Sequence, residues 1–275
     1  MSTGESALTS IAFHPRELRN MLEEVYARFN GPKHIHPDPL EFVYCYATKH
    51  DMEVAGFIAS ALAYGRVGQI LVSVRAVLDR MGPSPSSFLL NNSVPEIMAT
   101  FRDFKHRFTT GEVLAAMLAG VRELLMRFGS LENCFLSGFN SADKNIIPAL
   151  SVFVKNLNDA AGRSMPMFLP SPSGGSACKR LNLFLRWMVR RDNVDPGVWR
   201  GVSPSRLVVP LDIHMHRIAR AMGFTSGKQA NMRCALEVTD NFASICPEDP
   251  VRYDFALTRL GMNGGAPLNG VINQS

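Results

Sequence analysis

Residues 51–63, Asp-Met-Glu-Val-Ala-Gly-Phe-Ile-Ala-Ser-Ala-Leu-Ala, are apolar on nearly every side of a helical wheel. A helix of that kind has no face to give to water and belongs at the centre of a domain, with other helices packed around it. Gly56, Ala59 and Ala63 keep its surface low, so neighbours can approach closely. The stretch is too short for the ~20 residues of a membrane span. Tyr64-Gly65-Arg66 interrupts the pattern, and residues 67–81 resume it as a second helix, stopped at Gly82-Pro83.

Helical spacing dominates the rest of the chain. Leu18, Met21, Leu22, Val25 and Phe29 mark an amphipathic helix ended by Asn30-Gly31-Pro32. Asp38-Pro39 can cap another, carrying Phe42, Val43 and Tyr46. Further helices are predicted over 113–128, 130–136, 146–160, 178–190, 213–222, 230–242 and 250–260. A Pro-, Ser- and Gly-rich stretch, 165–176, separates the helix predicted over 146–160 from that over 178–190. Neither an internal repeat nor a strand pattern is present in the sequence. The expectation is an all-α chain: one helical unit over 1–262 and a loose tail over 263–275.

Composition narrows the setting. Hydrophobic residues make up 46% and charged residues 19%, the balance of a folded globular chain. The opening MSTGESALTS lacks the basic start and apolar stretch of a secretory signal, so a cytoplasmic location without membrane contact is expected. The five cysteines form no C-x-x-C pair, and they read as reduced thiols. His34, His36 and Asp38 share a loop, but no second cluster completes a metal site. No metal and no cofactor is expected. A formal charge of +5 favours polyanionic partners only mildly.

Two segments carry candidate chemistry. In the first, the turn Gly174-Gly175-Ser176 runs into a helix beginning near Lys179. Exposed amides at such a turn bind anions, and Lys179, Asn182, Arg186 and Arg190 share the helix face opposite Leu181, Phe184, Leu185 and Met188. That face reads either as a solvated basic surface or as a grip on a DNA backbone, with Arg180 beside it. In the second, Asp212 precedes an amphipathic helix as its N-cap, and His214 and Arg217 share one face toward possible phosphates.

Lys179, reached through a Gly-containing turn, followed by Val209-Pro210-Leu211-Asp212-Ile213-His214 and Ile218-Ala219-Arg220, resembles the helix–hairpin–helix DNA glycosylase superfamily, and most closely its 8-oxoguanine glycosylase branch. The run Ala177-Cys178-Lys179-Arg180-Leu181-Asn182, continued by Phe184-Leu185-Arg186-Trp187-Met188, also resembles an uncharacterised bacterial family described only as a domain of unknown function. The first resemblance implies a two-lobed helical fold with a cleft between lobes, a helix–hairpin–helix and catalytic segment over about 165–223, Lys179 as nucleophile and Asp212 as the essential carboxylate. The two are 33 positions apart, with extra residues at about 192–207.

A base-excision repair glycosylase with associated AP lyase activity is the function so implied. It would remove an oxidised purine from duplex DNA through a Lys179 Schiff base, as a monomer. Gly174, Gly175, Ser176, Arg180, Arg186, His214 and Arg217 would contact DNA. The loop Tyr64-Gly65-Arg66 would fill the gap left by the extruded base, or else be a helix kink with a buried Tyr64. Tyr253, Phe255 and Arg259 would line the base pocket or belong to the core. Two alternatives stand beside this: a helical nucleic-acid-binding module without catalysis, and an enzyme of RNA or nucleotides using the same Lys–Asp pair.

Overall fold

The computed structural model describes residues 15–262, so the predicted tail lies outside the described residues. Among those residues are twelve α-helices: α1 (Pro15–Phe29), α2 (Lys49–Ala61), α3 (Val67–Met81), α4 (Pro85–Asn91), α5 (Val94–Phe101), α6 (Gly111–Phe128), α7 (Leu131–Leu136), α8 (Ile147–Ala160), α9 (Lys179–Val189), α10 (Ile213–Ala221), α11 (Met232–Ile245) and α12 (Asp254–Met262). The fold is all-α apart from a two-stranded antiparallel ribbon, β1 (Lys105–His106) and β2 (Thr109–Thr110).

The central helix is where its composition requires it. Every residue of α2 from Val54 to Ala61 is buried, and α3, α4, α7 and α9 pack around it. Gly56 explains the closeness of α9: a Cβ there would meet Met188 Cε at 3.0 Å and Val43 Cγ2 at 3.3 Å. The helix starts two residues before the predicted stretch, because Thr48 caps it; Thr48 Oγ1 accepts from the Asp51 amide. Asp51 instead binds the start of α4, accepting from the Ser86 amide and hydroxyl and from Ser84.

Three expectations need correction. The segment capped by Asp38 is a 3-10 helix, Pro39–Cys45, and not an α-helix. The helices α4 and α5 were not predicted; each has a proline in its first turn, where the ring costs no hydrogen bond and the residue reads misleadingly as a breaker. The ribbon is too short to show an alternating pattern.

A wholly buried carboxylate locks α2 to the chain beyond α9. Glu53 accepts from the Leu131 and Glu132 amides, at 3.1 and 3.3 Å, and from Trp199 Nε1 at 2.7 Å. Burial pushes its carboxyl above the ordinary range, and these three donors oppose the rise. Glu53→Ala would strand buried donors at a cost of about 3 kcal/mol. Glu53→Gln, which keeps an acceptor, is expected to lose clearly less in denaturant titrations; equal losses would show that the hydrogen bonds are not what the residue supplies.

Candidate active site

Helix α9 carries the largest departure from the expected surface. Its apolar face packs on α2, but Asn182, Arg186 and Arg190 on the other face are buried too. Asn182 donates to the Ala177 carbonyl, and two of the carboxylates that meet the arginines come from the segment 192–207. That segment turns back at Asp192, whose Oδ1 accepts from the Val194 and Asp195 amides, and runs along the end of α9. Gly197 donates to the Trp187 carbonyl and Trp199 to that of Met188. This return delivers Asp195 between two guanidinium groups: its Oδ1 lies 3.2 Å from Arg186 and its Oδ2 2.8 Å from Arg190. Arg190 also holds Asp192 and Asp249, and Arg186 holds Asp254 at the start of α12. Arg186 is therefore an internal structural cation, not a phosphate ligand on a solvated basic face.

At the N-terminal end of α9 the surroundings open. A cavity of about 500 Å³ is lined there by Tyr64, Gly65, Lys179, Asp212, Asp254 and Phe255, among others. Lys179 is the first residue of α9, and Asp212 caps α10 by accepting from the Met215 amide at 2.8 Å. These two helix starts bring Lys179 Nζ within 3.9 Å of Asp212 Oδ2, with the two side chains 30% and 28% exposed. The groups thus converge on one cavity and both meet solvent. The start of α10 places the partial positive charge of its free amides beside the Asp212 side chain.

His214 lines the same cavity, and Arg217 lies exposed one turn further along α10. The turn before α9 is less suited to anions than predicted. The Gly174 and Gly175 amides donate to the carbonyls of Ser171 and Pro172, and Ser176 pairs with Asn231 through an isolated bridge. Gly175, at φ +75°, fulfils a conformational need rather than a binding one. Arg180 is likewise engaged. It donates to the carbonyl of Ala61, the last residue of α2, and to that of Met167, with its guanidinium over the Tyr64 ring.

Tyr64 lines the cavity as a fixed wall. Its hydroxyl meets the His106 carbonyl at 2.9 Å and Thr109 Oγ1 at 2.6 Å, so the ring is tethered to the ribbon and is not free to insert elsewhere. Arg66 is exposed and immediately precedes α3. Tyr253 belongs to the core: it is 1% exposed and its hydroxyl donates to Glu23. Arg259 is buried as well, donating to the Ile35 carbonyl and to Asp38. Phe255, by contrast, faces the cavity.

Asp254 was not singled out in the sequence, where it is one acid in a predicted helix between two aromatic residues. Its place in the cavity wall beside Arg186 comes from the fold. Burial drives its carboxyl up to about 6, Arg186 opposes the rise, and the neighbouring Asp212 adds to it. An acid raised in the folded state favours folding at low pH, and this contribution is lost as the pH rises from the ordinary value of 3.8 through about 6. Thermal melts of Asp254→Asn are expected to show a smaller decline in stability over that window than those of the parent chain. A decline of the same size would place the titration elsewhere.

Among the described residues no group of three or more His, Cys, Asp or Glu could hold a metal ion. His36 pairs with Glu41, and His34 Nε2 meets the Arg28 carbonyl. No helix among the described residues is long and apolar enough to cross a membrane. No curated protein and no solved structure matches the chain. A family model does match, over residues 38–263, and the chain belongs to the family it describes, Protein of unknown function (DUF2400).

Proposed function

We propose that this protein is a DNA base-excision glycosylase with lyase activity, built on a helix–hairpin–helix glycosylase-like fold whose cleft is the cavity at the start of α9. One observation carries the reading: an amine and a carboxylate, far apart in the chain, stand 3.9 Å from each other at the mouth of one cavity. An ordinary surface ion pair needs no cavity, and a helix cap needs no lysine. The cavity is within the range of small-molecule sites, and an extruded base offers a flat, largely apolar body that Phe255, Tyr64 and Ala63 can cover.

The reaction needs the free electron pair of the Lys179 amine. Attack on the anomeric carbon of the deoxyribose forms a C–N bond as the glycosidic bond breaks, and the base departs with that bond's electrons. The proton lost from the attacking nitrogen neutralises the departing base. As the bond breaks, positive charge grows on the sugar, and the Asp212 carboxylate stabilises it. Ring opening gives a Schiff base on Lys179. Loss of a proton from the adjacent sugar carbon then expels the 3′ phosphate and cuts the strand. Fixing both groups in advance supplies much of the rate, since neither must be brought to the sugar at the moment of reaction.

Borohydride reduction during incubation with duplexes carrying oxidised purines tests this. The full chain is expected to release the base and form a covalent adduct, and Lys179→Gln to form none. Asp212→Asn, which keeps the cap acceptor, is expected to bind the same duplex and to release base at least 100-fold more slowly, on the scale of losing one well-placed charge. Tight, salt-sensitive binding with neither release nor adduct over a broad lesion panel would leave a binding module instead. Release from RNA or free nucleosides, and not from duplex DNA, would redirect the assignment to those substrates.

A further inference from the structure

The ribbon β1–β2 is joined by a two-residue turn, Arg107-Phe108, since His106 pairs directly with Thr109. Arg107 has φ +52°, at the first central position of the turn, where a glycine would be relaxed. A side chain is nevertheless kept there, and it has a seat: a Cβ on Gly65 would meet Arg107 Cδ at 2.8 Å and Nη1 at 2.9 Å. Gly65 lines the cavity, so the turn stands at its rim. Phe108 is 51% exposed, an unusual state for a large aromatic ring. Its orientation is fixed from beneath by Tyr64, stacked at 4.5 Å between centroids and 21° between planes. The Tyr64 hydroxyl and the buried His106 ring, bonded to Ser73 and to the Tyr64 carbonyl, hold the ribbon in place.

The exposed charged residues on the chain leading into the ribbon and beside Gly65 are mainly basic. Arg66, Arg102, Lys105 and Arg107 are exposed, and the nearby acid Asp103 is ion-paired with Arg80. A rigid aromatic plane among cations, beside a cavity able to take one base, matches a polyanion with stacked planar groups.

We infer that Phe108 stacks into the duplex at the position vacated by the extruded base, with Arg107 holding the adjoining backbone. The inference rests on the glycosylase reading of the cavity, but it moves the gap-filling role from the loop 64–66 to the tip of the ribbon. Tyr64, Gly65 and the cavity wall become its support.

Polarisation of a labelled duplex containing a tetrahydrofuran abasic analogue, against the same duplex intact, tests this without any bond being cleaved. The parent chain is expected to prefer the gapped duplex. Phe108→Ala should lose roughly tenfold or more of that affinity, as removal of one stacking ring does, and little on the intact duplex. Phe108→Trp should restore it, and unchanged melting of both variants would exclude a folding defect. The inference fails if Phe108→Ala binds the gapped duplex like the parent, if it loses equally on both duplexes, or if the parent shows no preference. The two readings separate cleanly. A gap-selective loss with no Lys179 adduct keeps the ribbon's role and removes the repair chemistry, whereas an adduct without any Phe108 effect does the reverse.

Discussion

Asp195 is the charge on which the arrangement turns. It is wholly buried between Arg186 and Arg190, and Arg186 reaches on to Asp254. A guanidinium buried without partners costs several kcal/mol, so α9 can lie in the interior only if all of these carboxylates arrive together. They come from the return segment after α9, from the loop before α12 and from α12 itself. Completing the network therefore fixes where α12 lies against α9, and the cavity occupies the space beside that junction. Such a network specifies one packing more than it adds stability. The position of Phe255, and of every other group that α12 presents to the cavity, follows from it.

The same network redistributes charge. Lys179 remains partly exposed at the end of a helix whose other interior cations are neutralised. Exposed cations near the cavity come instead from the ribbon, the start of α3 and α10, at Arg107, Arg66 and Arg217. The exposed cations thus lie on elements that border the cavity rather than along α9. A polyanion would meet the rim, and one planar group the interior.

How much of this was legible in the sequence depends on the distance over which each feature is determined. The central helix was, because an all-round apolar pattern has one physical solution; residues 51–63 were predicted, and α2 spans Lys49–Ala61. The convergence of Lys179 and Asp212 was legible only through the two motifs around them. The spacing of Asn182, Arg186 and Arg190 showed that they share a face, but periodicity does not reveal what the face meets. Asp195, Asp249 and Asp254 are brought there by the fold, so a buried ion network read as a basic surface. Tyr253 and Tyr64 each kept two readings for a related reason: an aromatic residue near a site gives no sign in sequence of whether its hydroxyl is tethered. Phe108 left no signal, since a ribbon of two residue pairs is below the length at which alternation is visible.

The central claim is that the Lys179 amine, set beside Asp212 at the cavity mouth, is the group that becomes bonded to the substrate sugar. Peptide mapping by mass spectrometry after borohydride reduction on a lesion-containing duplex tests it most directly. The account predicts the sugar remnant on the peptide containing Lys179, at that residue alone. A remnant on another lysine or on the chain's amino terminus, or no remnant while base is released, would contradict it.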